Sequence, residues 1–137
     1  MKLLPILILV LALFSGVACS SEPSADYQPD ADAIIEARTH VDKGVQYFAR
    51  SQYEKAIKSY SKAIRLNPYW ANPYNKRGVS YHSIGQYDKA IQDYDEAIRL
   101  DPENAASAYH NRGLAYEALG NSLQAEQDLA KSKELWR

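Results

Sequence analysis

The stretch GVQYFARSQYEKAIKSYSKAIRLNP, residues 44–68, returns 34 residues later as GVSYHSIGQYDKAIQDYDEAIRLDP, residues 78–102. Glycine, tyrosine, alanine and proline keep the same places in both stretches. A fixed period of this length is typical of a solenoid, in which each unit buries its apolar face against its neighbours. The sequence therefore predicts stacked repeats, an architecture that usually presents a surface for holding other molecules.

Six positions define the repeat, and each is occupied by one residue type in the first two copies. The pairs are Gly44 and Gly78, Tyr47 and Tyr81, Ala56 and Ala90, Tyr60 and Tyr94, Ala63 and Ala97, and Pro68 and Pro102. A third copy follows at an offset of 35, with Gly113, Tyr116 and Ala125. It departs at Leu129, where the first two copies have a tyrosine. Two copies are therefore nearly complete and the third is partial.

This order of glycine, aromatic, alanine, aromatic, alanine and proline resembles the tetratricopeptide repeat. The resemblance covers about three-quarters of the chain, as copies at about residues 37–70, 71–104 and 106–137. It implies an all-α fold, an antiparallel helix-hairpin solenoid of three repeats that occupies residues 32–137. No run of alternating apolar and polar residues suggests a strand.

The repeated glycines Gly44, Gly78 and Gly113 fall inside the first helix of each copy, where glycine costs about 1 kcal/mol relative to alanine. This cost is reasonable if the missing side chain lets the partner helix approach closely. The tyrosines then supply the large apolar groups that fill the remaining space. We therefore interpret the repeated residues as packing residues.

Three short motifs predict where helices begin. Ser51 and Glu54 fit a capping box, in which the serine oxygen accepts from a free amide and the glutamate reaches back. Residues 121–124 offer a weaker version of this box in the third copy. Asn72 before Pro73 places a capping side chain ahead of a proline at the first helical position.

The first 18 residues have the layout of an export signal peptide, with Lys2 followed by an apolar run over residues 3–14. Ala18 before Cys19 resembles the cleavage box of bacterial lipoproteins, in which the cysteine becomes the first residue and is lipidated. Gly16 departs from that pattern, which usually has a bulky aliphatic residue there. Ordinary signal peptidase also accepts Gly16 and Ala18, so a soluble secreted or periplasmic protein is the alternative. An uncleaved anchor is disfavoured because the run is shorter than the roughly 20 residues that a membrane span needs.

Lipidation is favoured because Cys19 is the only cysteine in the chain. Several acyl chains, palmitate among them, would give a stable membrane anchor. By resemblance to bacterial lipoproteins, Ser20 is the type of residue associated with the outer membrane in a cell with two membranes. Residues 19–31 are rich in serine, proline and acids and read as a flexible tether. The sequence leaves open whether Asp30 or Asp32 caps the first helix.

Composition and charge point to no catalytic or nucleic-acid-binding class. The net charge is −1, and no basic face is evident. The three histidines lie 42 and 28 residues apart, with no paired cysteines for zinc. No nucleophile elbow or phosphate-binding glycine loop is found, and Asp93, Asp95 and Glu96 are interpreted as a solvated face. The sequence therefore predicts a protein that is not an enzyme and takes no cofactor or metal.

The resemblance implies a binding groove, because in this family the first helix of each pair lines the concave side of the solenoid. Asparagine side chains there can hydrogen-bond a peptide backbone in both senses, and aliphatic ones offer apolar contact. We expect a protein or peptide partner and a role as adaptor or scaffold at the cell envelope. Carried over by position, the core of the groove is Val41, Val45, Asn72, Asn75, Lys76, Val79, His110, Asn111 and Leu114, and its wider lining adds Arg38, Phe48, His82, Ser107 and Glu117.

One known specificity of the family does not fit these positions. Members that bind chaperones clamp a C-terminal carboxylate with three cations and two asparagines. The corresponding residues here are Val41, Val45, Lys76, Ser107 and Asn111, which supply one cation. A carboxylate clamp is therefore not expected.

The C-terminal end suggests a second mode of association. Many members of the family close the stack with an extra polar helix, and the sequence printed here ends at Arg137 without one. Leu135 and Trp136 could therefore meet a second copy of the chain. End-to-end self-association of a soluble exported module is the alternative to groove binding.

Overall fold

The computed structural model describes residues 27–137, which form six α-helices and no strand. The predicted signal peptide, Cys19 and most of the predicted tether lie outside the described residues. None of the helices in the described part is long and apolar enough to cross a membrane. The helices are α1 (Ala31–Ala49), α2 (Tyr53–Leu66), α3 (Ala71–Ser83), α4 (Tyr87–Leu100), α5 (Ala106–Ala118) and α6 (Ser122–Leu135).

The helices pack as three hairpins, α1 with α2, α3 with α4 and α5 with α6. Consecutive hairpins stack through α2 against α3 and through α4 against α5. The first helices α3 and α5 also touch each other, so they line one side of the stack together. The prediction of an all-α, antiparallel helix-hairpin solenoid of three repeats is confirmed.

Each hairpin is closed by a glycine that lies against a large side chain of the partner helix. A methyl group built on Gly78 would lie 2.6 Å from Cε1 of Tyr94, and Gly44 faces Tyr60 in the same way. Gly113 instead faces Leu129, whose Cγ would lie 3.0 Å from such a methyl group. The close helix approach that the sequence predicted is therefore present, and the departure at Leu129 leaves the contact in place with a smaller partner.

The predicted capping boxes are wrong. The helix α2 begins at Tyr53 after Gln52, and no side chain caps it. Ser51 adopts φ +56°, in the left-handed region that Gly85 and Gly120 occupy at the same place of the next two repeats. The turn between paired helices therefore needs a left-handed residue, which two repeats supply as glycine. The predicted box over residues 121–124 fails in the same way, since α6 has no side-chain cap.

Two other helix starts are settled by the structure. The helix α3 begins at Ala71, so Asn72 does not cap it and Pro73 is its third residue. Proline is tolerated there because the first-turn amides have no intrahelical acceptor. Asp30 caps α1, because its Oδ1 accepts a hydrogen bond of 2.7 Å from the amide of Ala33.

The folded body extends beyond the boundary that was expected at residue 32. The hydroxyl of Tyr27 donates a hydrogen bond of 2.8 Å to the carbonyl of Leu66, at the end of α2. The ring of Tyr27 also lies 6.1 Å from that of Tyr69. The residues next to α1 therefore pack on the junction between the first two repeats.

Candidate functional site

A mostly apolar cavity of about 200 Å³ opens between α1, α2 and α3. Five of its residues belong to the groove predicted from sequence, four of them to the core of that groove, and Tyr60 closes the base of the cavity. Tyr60 is only 2% exposed, and burial raises the pKa of its phenol to about 12, so the group is neutral near pH 7. The lining residues are Val45, Phe48, Tyr60, Asn75, Lys76 and Val79.

The chemistry of this cavity is amphipathic. Val45, Phe48 and Val79 provide apolar walls, while the amide of Asn75 and the ammonium of Lys76 provide polar groups. Such a combination of apolar walls with a few polar groups is typical of sites that fix the orientation of a ligand. The cavity can therefore take an apolar side chain and hold a neighbouring polar or acidic group.

A second, more polar cavity of about 190 Å³ lies between α3 and α5. Asn75 lines both cavities, so the two adjoin along the inner side of the stack. Asn104, at the edge of this second cavity, donates a hydrogen bond of 3.0 Å from Nδ2 to Oδ1 of Asp101. Its lining residues are Ala71, Asn72, Asn75, Ala97, Asp101, Asn104, Ala105, Ser107 and Ala108.

Asn75 is fixed by two hydrogen bonds to α5. Its Nδ2 donates to Oγ of Ser107 at 3.1 Å, and its Oδ1 accepts from Nδ2 of Asn111 at 3.2 Å. One amide hydrogen and one lone pair of Asn75 are left for a ligand. The orientation of this amide is therefore set before any partner arrives, which reduces the entropy that binding would cost.

The predicted groove residues are not all brought together. Val41 is 6% exposed and belongs to the core cluster of Ala37, Ala56, Tyr60 and Ala63. Its assignment to the groove is corrected, because a buried valine cannot present its side chain to a partner. His110 and Leu114 are exposed on α5 but line neither cavity.

The interpretation of Asp93 as part of a solvated face is wrong. Asp93 is 5% exposed and accepts hydrogen bonds of 2.8 and 2.6 Å from Arg77. Burial raises the pKa of its carboxyl group, and the hydrogen bonds from Arg77 oppose that rise. Asp95 and Glu96 are more exposed, but they pair with Arg112 and Arg99. Asp93 is thus a satisfied structural carboxylate.

The same arrangement recurs in the third repeat, where Asp128 binds Arg112. The hydrogen bond to Asp128 raises the pKa of the Arg112 guanidinium. A signal for both pairs exists in the sequence, since each arginine precedes the repeat glycine and each aspartate follows 16 residues later. Within residues 27–137 no group of three or more histidine, cysteine, aspartate or glutamate side chains could hold a metal ion.

Solved structures similar to this chain are helical repeat domains. The Arabidopsis OM64 TPR domain is 28% identical, with a TM-score of 0.73, over 75% of this chain and 84% of that one. The second TPR of Spaghetti (RPAP3), bound to the HSP90 peptide SRMEEVD, is 31% identical, with a TM-score of 0.71, over 73% of this chain and 92% of that one. MamA is 34% identical, with a TM-score of 0.70, over 76% of this chain and 60% of that one.

Family models agree with these structures. A model described as TPR repeat matches residues 44–85 and 80–120, and one described as tetratricopeptide repeat matches residues 106–135. No curated protein shows a significant match to the chain. The matched residues cover most of the three hairpins described above. The chain therefore belongs to the tetratricopeptide repeat family.

Proposed function

We propose that this protein is a non-catalytic adaptor whose inner face binds an extended segment of a partner protein. The observation that carries the proposal is the pair of adjoining cavities that share Asn75. One cavity is apolar with Lys76 at its side, and the other is polar, so a peptide could place alternate groups in each. The similar Spaghetti domain holds a peptide, which supports a peptide as the ligand here.

The partner segment should differ from the acidic chaperone peptide in that similar structure. Lys76 is the one cation among the five positions that form the carboxylate clamp in chaperone-binding members of the family. Val41 at one of those positions is buried, and Val45 at another lines the apolar cavity. The groove therefore favours a segment with an apolar anchor and at most one nearby acidic group.

A displayed peptide library tests this function. We expect the protein to select peptides with one recurrent apolar residue, and Val79→Asp to weaken them at least tenfold, or about 1.4 kcal/mol. Asn75→Ala should weaken them less, since it removes hydrogen bonds alone. The matched control is Glu126→Asp, on the exposed surface of α6. Selected peptides that bind wild type and Val79→Asp equally would place the site elsewhere.

We further propose that the chain is a lipoprotein anchored at the cell envelope through Cys19, on the periplasmic face of the outer membrane where two membranes exist. Support comes from the export-signal layout, from Ala18 before the only cysteine, and from the short distance in sequence to Tyr27, where the described body begins. Labelling with a palmitate analogue should mark the wild type and not Cys19→Ala. A wild type that stays unlabelled and soluble would favour the secreted or periplasmic alternative.

Self-association through α6 is the second candidate, and Trp136 favours it because 72% of its surface is exposed. The face of α6 is otherwise polar where stacking would occur. Glu126 and Lys133 stand at the places of Ile91 and Ile98 in α4. Sedimentation of the wild type beside a variant with Leu135 and Trp136 changed to serine decides this. A monomer in both cases removes the candidate.

A further inference from the structure

A row of four cations runs along the exposed face of α2. Lys55, Lys58, Lys62 and Arg65 follow one another at spacings of three, four and three, which places them on one side of the helix. All four are exposed, and none forms an ion pair among the residues that the structure describes. We call these four residues the α2 cation row.

Packing does not require this row. The four corresponding positions of α4 hold two cations, a glutamine and a glutamate, and those of α6 hold one lysine, two glutamines and a glutamate. The three helices share their position in the hairpin, so a need of the fold would be met in all three. The corresponding residues are Lys89, Gln92, Glu96 and Arg99 in α4, and Gln124, Gln127, Lys131 and Glu134 in α6.

The surroundings of the row neutralise it only in part. Glu36 lines a cavity with Lys62 and Arg65, and Glu54 lies beside Lys58 on α2. Residues 31–70 nevertheless carry seven basic and four acidic side chains, against four basic and six acidic ones in residues 71–104. The net charge of −1 conceals this separation, which is why no basic face was evident from the sequence.

The first repeat also lacks the internal neutralisation of the other two. Lys43 stands where Arg77 and Arg112 stand in the later repeats, and Ser59 stands where Arg77 finds Asp93. Lys43 is exposed and forms no ion pair within residues 27–137. The first hairpin therefore carries its positive charge outward.

The chain that leads to Cys19 leaves the body beside the row. The hydroxyl of Tyr27 donates a hydrogen bond to the carbonyl of Leu66, the residue after Arg65. The eight residue steps from Tyr27 back to Cys19 span at most about 28 Å when fully extended. A membrane anchor at Cys19 would therefore hold the α2 cation row close to the lipid surface.

We propose that the α2 cation row binds the anionic headgroups of the membrane and so sets the orientation of the solenoid. This inference rests on the proposed membrane location. Each lysine or arginine near an anionic surface strengthens binding roughly fivefold, and the gain falls as salt screens the charges. If the exposed face of α2 lies against the lipid, the two cavities lined by Asn75, which are on the inner side of the stack, stay accessible to a partner.

The experiment uses a chain of residues 19–137 with Cys19→Ala, which has no acyl chain but contains all six helices. It also contains both core clusters, the one around Tyr60 described above and a second one formed by Ala90, Tyr94 and Ala115. Its sedimentation is measured with phosphatidylcholine vesicles, with and without phosphatidylglycerol, at low and high salt. We expect binding only to vesicles with phosphatidylglycerol, weakened by salt. The affinity of the triple variant Lys58→Gln, Lys62→Gln, Arg65→Gln for these vesicles should be at least tenfold lower.

The matched control removes three cations at the other end of the solenoid, as Lys131→Gln, Lys133→Gln and Arg137→Gln, and should bind like the parent. Equal loss in both variants, or no binding of the parent to anionic vesicles, overturns the proposal. Binding to an acidic protein without binding to vesicles would also overturn it, since the row would then serve a protein partner. Because no lipid is attached, this outcome is independent of whether Cys19 is labelled in cells.

Discussion

Arg77 donates two hydrogen bonds to Asp93, from Nε to Oδ2 at 2.8 Å and from Nη2 to Oδ1 at 2.6 Å. The same guanidinium donates from Nη1 to Oγ of Ser61 at 2.9 Å, in the preceding hairpin. One arginine therefore ties the two helices of its own repeat together and links them to the repeat before. Arg112 does the same in the third repeat through Asp128 and Asp95.

Removal of the carboxylate is the first test of this link. Asp93→Ala leaves the Arg77 guanidinium largely buried without its partner, so we expect the free energy of unfolding to fall by about 3–5 kcal/mol. Glu96→Gln breaks the more exposed pair with Arg99 and should cost at most about 1 kcal/mol. Urea unfolding measures both. Equal effects of the two changes would mean that the buried pair has no special structural weight.

A second test uses the close contact between α3 and α4. Gly78→Ala adds a methyl group that would lie 2.6 Å from Cε1 of Tyr94, so we expect a loss of about 1–3 kcal/mol in stability despite the better helix propensity of alanine. Adding Tyr94→Leu should make the pair of changes less costly than the sum of the two single ones. Ser83→Ala, at an exposed site of the same helix, is the control. A stabilised Gly78→Ala variant would contradict the packing role.

The fold could be predicted from the sequence because its packing contacts recur at fixed spacing. A glycine that packs under a tyrosine of the partner helix recurs at the same position of the repeat, as Gly44 and Gly78 do. The left-handed turn before each second helix was missed because Ser51 replaces the glycine found at positions 85 and 120. A serine followed by a glutamate three residues later then resembles a cap.

The candidate groove was only partly predictable. Asn75, Lys76 and Val79, which were predicted by position, line one cavity, because the second repeat follows the common pattern closely. Val41 occupies the place of Asn75 in the first repeat but is apolar, and it joins the core cluster against which Phe48 and Trp70 pack. Position in a repeat fixes where a side chain starts, while its polarity and neighbours decide whether it ends in the groove or in the core.

A third test concerns alkaline pH. Burial raises the pKa of Tyr60 from 10.0 to about 12, so the folded chain keeps this proton after the unfolded chain has lost it. Stability from this group is fully present below pH 10 and is lost as the pH rises from about 10 to about 12. Burial also raises the pKa of Tyr74 and Tyr94, which both proteins retain, so we expect the wild type to lose about 1 kcal/mol more than Tyr60→Phe between pH 9 and pH 11. Urea unfolding at the two pH values measures it, and identical pH dependence of the two proteins would contradict it.

A fourth test concerns Tyr27, which docks the chain before α1 onto the end of α2. Tyr27→Phe keeps a ring beside Tyr69 but removes the hydrogen bond to the carbonyl of Leu66, which is worth about 0.5–1.5 kcal/mol. The effect should be a local opening, because this segment lies at the edge of the body and outside both core clusters. Hydrogen exchange of the amides in residues 31–35 should become faster by up to about tenfold, while exchange in α4 stays unchanged.

The control for this test is Tyr116→Phe in α5, far along the stack. If exchange near residue 31 is the same in wild type and Tyr27→Phe, the hydrogen bond does not hold this segment, and the exit of the chain beside the α2 cation row loses its support.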